Sequence, residues 1–145
     1  MDLPLPWRES FAVGHPVLDA EHQRMVALIN DVISAIEKTP ERIPDLLTKL
    51  RTATREHVQN ENALLWELRS GTYAALQGRA RTAPFLKAMA EAAFDEHMAE
   101  HDMWLGRIDD THDLPPDTLA ETLKSWFLDH AIKHDSKLKA IFQAM

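Results

Sequence analysis

The sequence contains no cysteine, only four glycines and a single tyrosine. Without cysteine there is no disulfide framework, no thiolate zinc finger and no iron–sulfur cluster. Any metal must then be held by imidazole and carboxylate, donors that suit iron, manganese or zinc better than the softest metals. Net charge is −7 and the basic residues form no cluster or stripe, which argues against nucleic acid as a partner. No run approaches the roughly 18 uninterrupted apolar residues of a membrane span. The opening MDLPLPWRES lacks the positive end and apolar run of a secretory signal. The expectation is a cytoplasmic protein without membrane contact.

What remains is a chain of 145 residues, 45 % apolar and 27 % charged, which fits one folded domain spanning residues 1–145 with a core of its own. Proline and glycine leave four long stretches of helical periodicity and no competing strand pattern. The first runs from about Asp19, a candidate N-cap, to Lys38, with the stripe Leu18, His22, Met25, Ile29, Val32 and Ile36. The second begins near Pro44 and carries Leu47, Leu50, His57, Glu61, Leu64 and Leu68 before Gly71. The third starts near Pro84 with Leu86, Ala90, Ala93, His97, His101, Leu105 and Ile108. The fourth follows Pro115-Pro116 with Leu119, Leu123, Trp126, His130, Leu138 and Ile141. Two of the three connections are short, so neighbours should run antiparallel. The expected fold is all-α, an up-down-up-down antiparallel four-helix bundle with an N-terminal arm.

Each stripe carries histidine where the period calls for a core residue. One such histidine is ordinarily a satisfied core residue; four need a common cause. In an antiparallel bundle the loops near 39–43 and 111–115 lie at one end. His22 stands 17 residues from Thr39, His57 13 from Pro44, His97 13 before Asp110 and His130 14 after Pro116. At about 1.5 Å per residue all four lie roughly 20–25 Å deep, in one layer. Glu61 joins His57 at i+4, His101 joins His97 at i+4, and Asp135 or His134 follows His130. Residues four apart share a helical face. Burying so many polar groups is prohibitive unless they pair or hold metal. The donors are too many for one tetrahedral zinc and suit two adjacent metals bridged by carboxylate. The competing reading is a hydrogen-bonded polar layer without metal.

These residues resemble a known family. WRESFAVGHPVLDAEHQRMVALIND is similar to the N-terminal signature of hemerythrins, and HVQNE resembles the family's H-x-x-x-E. HMAEH resembles its H-x-x-x-H and WFLDHAIKHD its W-x-x-x-H-x-x-x-x-D. The resemblance implies two iron ions cycling between Fe2+ and Fe3+. It places His97, His101 and His130 on one iron, with His22 and His57 on the other. Glu61, Asp135 and an oxo or hydroxo group bridge them, and dioxygen binds reversibly at the iron with fewer histidines. His130 and Asp135 are five apart, about 140° out of line on an ideal helix, so bare geometry favours His134. The family pattern favours Asp135, and a π-bulge would reconcile the two.

The implied function is non-enzymatic dioxygen carriage, storage or sensing. The competing function is a di-iron enzyme acting on nitric oxide or peroxide, or in iron–sulfur repair. The ligand set is rich in histidine, and its candidate faces lack the paired E-x-x-H motifs of carboxylate-rich di-iron enzymes. Trp104, Trp126, Met25 and Leu64 are expected to wall the pocket, while His15 and His112 should be solvated. The 36 residues from Glu61 to His97 lengthen the second and third helices and add the loop GTYAALQGRART. That hairpin is either a longer bundle with no added role or a surface for a protein partner or self-association.

Overall fold

The structure is a computed structural model in which residues 3–70, 83–134, 138–140 and 142 are described. Four long helices dominate: α1 (Pro16–Lys38), α2 (Ile43–Ser70), α3 (Ala83–Asp110) and α4 (Pro116–Leu128). Among the described residues there is no strand. Single 3-10 turns at Glu9–Phe11, Pro40–Arg42 and Thr111–Asp113 join the pieces, and α4 continues into a π-helical turn at Asp129–His134. Helix α1 packs on α2 and α4, α2 on α3, and α3 on α4, so the four elements close around a common interior.

Proline starts two of these helices where its missing N–H costs nothing, at Pro16 in α1 and Pro116 in α4. The N-cap of α1 is His15, not Asp19: its Nδ1 accepts the Leu18 N–H at 3.4 Å. Asp19 lies inside the first turn, where its carboxylate accepts the Val13 N–H at 2.7 Å. The helix extends three residues beyond the expected start because Pro16 supplies a preset φ there. His15 is accordingly half-buried rather than solvated, its ring 5.4 Å from that of Phe142. Gly14, at φ 91°, makes the turn into α1 in a region that side chains rarely adopt. His112 is exposed, as expected.

The buried stripes meet inside. Met25, Ile29 and Val32 of α1, Leu47 and Leu50 of α2, Trp104 and Ile108 of α3, and Leu119, Leu123 and Trp126 of α4 belong to one apolar cluster. The side chains of Leu68, Leu86, Ala90, Ala93 and Ile141 lie outside the described residues, as does the loop at 71–82. The N-terminal arm is part of the core. Asn30 on α1 accepts the Leu5 N–H at 2.7 Å and donates to the Leu5 carbonyl at 2.9 Å. Lys124 of α4 donates to the Leu3 carbonyl at 3.1 Å. Phe11, 1 % exposed, meets Phe127 edge-on at 5.4 Å. Among the described residues no helix is long and apolar enough to cross a membrane.

Candidate metal centre

Six polar side chains interrupt this apolar interior at one level. His22, His57, Glu61, His97 and His130 are 0 % exposed and His101 is 1 % exposed. They come from α1, α2, α3 and the π-helical turn that follows α4, at the positions where the core stripes pass. Burying them is costly unless each finds a partner, and the geometry shows where the partners lie.

Glu61 is the centre. Its Oε2 is 2.9 Å from Nε2 of His57 and 3.7 Å from Nε2 of His130. Its Oε1 is 3.0 Å from Nε2 of His101 and 3.7 Å from Nε2 of His97. Each carboxylate oxygen therefore faces its own pair of imidazoles, as a bridging carboxylate would. His22 completes the cluster, with its Nε2 3.2 Å from Nε2 of His57, which is itself 3.2 Å from Nε2 of His130. One donor atom each from His22, His57, Glu61 and His130 lies within 4.8 Å of the others.

The far side of the rings decides what the near side can do. The Nδ1 of His22 meets the Phe11 carbonyl at 2.7 Å, and that of His57 meets the Glu21 carboxylate at 3.0 Å. The Nδ1 of His101 lies 2.6 Å from Asn62 Oδ1, and that of His130 3.3 Å from Glu100 Oε2. Carbonyls and carboxylates only accept, so the hydrogen of each neutral ring is on Nδ1 and the lone pair on Nε2. The inward nitrogen of His57 then points its lone pair at those of His22 and His130, each across 3.2 Å. Such an array repels itself unless a cation, a metal or an added proton, lies among the donors. Outer acceptors that fix tautomer and ring plane are the usual support of metal-bound histidine. The donor set fits a metal.

The supports follow a rule. The Phe11 carbonyl of the arm serves His22 on α1, and Glu21 on α1 serves His57 on α2. Asn62 on α2 serves His101 on α3, and Glu100 on α3 serves His130 beyond α4. Every supporting side chain is the immediate neighbour of a core donor on its own helix. Sequence reasoning missed Glu21, Asn62 and Glu100 because they are off the apolar stripe; adjacency to His22, Glu61 and His101 was the available signal.

Of the seven residues expected at the site, the structure brings six together. Asp135 lies outside the described residues, as does the side chain of His134. His130 stands between the two groups, its ring centroid 5.3 Å from that of His57 and 5.5 Å from that of His101. The wall expectation holds for Trp104, whose ring stacks on His130 at 3.8 Å and 15°. Met25 and Leu64 are also buried.

The described residues are helical and strand-free, and their buried cluster of histidine and glutamate fits a metal site. The family model described as the hemerythrin HHE cation-binding domain matches residues 13–142, and the chain belongs to the hemerythrin family. Neither a curated protein nor a solved structure matches it.

Proposed function

We propose that the chain is a single-domain, up-down-up-down four-helix bundle of residues 1–145 that binds dioxygen reversibly in the cytoplasm. It does so at a non-haem di-iron centre, as a carrier, store or sensor rather than an enzyme. His97, His101 and His130 hold one iron, and His22 and His57 the other. Glu61, Asp135 and an oxo or hydroxo group bridge them. When bound, the iron pair supplies reversible two-electron exchange with dioxygen. The observation that carries this reading is Glu61 at the centre, one oxygen nearest His57 and the other nearest His101, with the His130 ring between those two.

The chain's own residues account for binding without turnover. His22 and His57 offer fewer imidazoles than the other group, leaving that metal better able to accept a ligand. Met25, Leu64, Trp104 and Phe127 form buried apolar surroundings in the same core, which exclude water and competing anions. Glu61 is the only carboxylate among the described buried residues, and as a bridge it has no proton to deliver. The wide turn at Asp129–His134 closes i→i+5 rings, a spacing that lets residues five apart share a face. This favours Asp135 over His134 as the last ligand.

The test is to load the protein with iron, reduce it anaerobically and admit dioxygen. An optical band that appears with oxygen and vanishes on deoxygenation, over repeated cycles, is expected. Sustained consumption of nitric oxide or peroxide with a reductant would overturn the carrier reading in favour of an enzyme.

A further inference from the structure

Helix α4 changes character beside the site. Its α-helical part ends at Leu128, and the chain continues as the π-helical turn Asp129–His134. Such turns are rare because the widened ring packs and hydrogen-bonds less well than an α-turn, and they concentrate at functional sites. Something must hold this one in place.

Two tryptophans on facing helices supply the hold. The indole N–H of Trp104 on α3 donates to the Trp126 carbonyl at 2.9 Å. The indole N–H of Trp126 on α4 donates to the Trp104 carbonyl at 3.0 Å. The two rings stack at 4.2 Å and 11°, and Trp104 also stacks on the His130 ring. One residue of α3 thus holds the fourth helix at two points a turn apart, 126 and 130. Downstream, Leu138 is 0 % exposed and helical again. A π-helical turn takes up more residues than an α-turn does, so the turn at Asp129–His134 holds a surplus residue.

We propose that the Trp104–Trp126 clasp is the register lock of the metal centre. It pins α4 through His130, confines the surplus residue to the turn that follows, and so delivers residue 135 rather than 134 to the face of His130. Trp104 and Trp126 are positioning residues. They act through His130 and the turn, and the indole N–H groups, not ring bulk alone, set the register. This rests on Asp135 being a ligand, as proposed above.

The experiment compares wild type with W104F, W126F, the double variant W104F/W126F, and the double variant also lacking Ile132. Ile132 is 48 % exposed in the turn, so its deletion removes the surplus residue without emptying the core. Phenylalanine keeps an apolar ring at each site and removes the donor; helicity by circular dichroism checks that each variant folds. In metal-free protein, amide hydrogen exchange at 129–134 is expected to rise about tenfold or more in the double variant, with that at 117–125 unchanged. Iron bound per chain should fall from two to about one in the double variant and return toward two when Ile132 is also deleted. Unchanged exchange at 129–134 in the double variant overturns the lock. Raised exchange together with full iron loading in D135N leaves the lock standing and overturns the ligand reading of Asp135.

Discussion

Glu61 leaves little room for substitution. It is fully buried and its two oxygens lie near four imidazoles, so E61Q keeps the shape and removes the charge that would offset bound metal. Iron bound per chain, measured on purified protein, is expected to drop by at least half, and E61A should do no better. The outer residues act more gently. E21Q and E100Q retain a side-chain oxygen as acceptor but lose the charge on the far side of His57 and His130. Each should weaken iron binding about 10- to 100-fold in competition with a chelator, with little loss of helicity. The core donors were readable from the chain because a polar residue on an apolar stripe violates a period. Glu21, Asn62 and Glu100 violate nothing, since their positions permit exposed polar residues, and only a folded arrangement reveals which ring each one meets.

At the scale of elements, the four helices were legible from period and punctuation, and their ends less so. Asp19 is acidic and early enough to look like an N-cap, yet Pro16 starts the helix sooner and leaves Asp19 to hold the arm through Val13. The wide turn was visible only as a conflict, a carboxylate five residues after a histidine where four would align. The π-bulge that this conflict called for is present at Asp129–His134; the clasp between α3 and α4, which joins residues 22 positions apart, left no such mark in the sequence. The arm is the element whose role was least legible. It offers Phe11 twice over, the side chain to the core and the carbonyl to His22. F11A is expected to cost about 3–5 kcal/mol of folding stability through the cavity it leaves. It should also lower iron affinity by letting the carbonyl drift from His22. Denaturant titration of the metal-free protein and chelator competition measure the two effects separately.

For the whole molecule, the interior is a compromise. Leu50, Leu123 and Ile29 stabilise it by ordinary burial, while six polar side chains at one level work against it until a metal arrives. Binding to the folded chain alone shifts stability by mass action, about 4 kcal/mol when free metal exceeds its dissociation constant a thousandfold. Stripping the metal with a chelator should therefore lower the thermal midpoint, and restoring ferrous iron without oxygen should bring it back. A midpoint that ignores both treatments would mean that the layer is held by shared protons rather than metal.

The succession of supports, arm to α1, α1 to α2, α2 to α3 and α3 to His130, works like a train of gears. A helix that rotates misplaces its own donor and, in the same motion, the prop beneath the next one. Grafting lone histidines from this chain onto a foreign bundle would transfer half of each tooth. Whole helices, exchanged with their neighbouring glutamate or asparagine, are the smallest parts in which this centre can be moved.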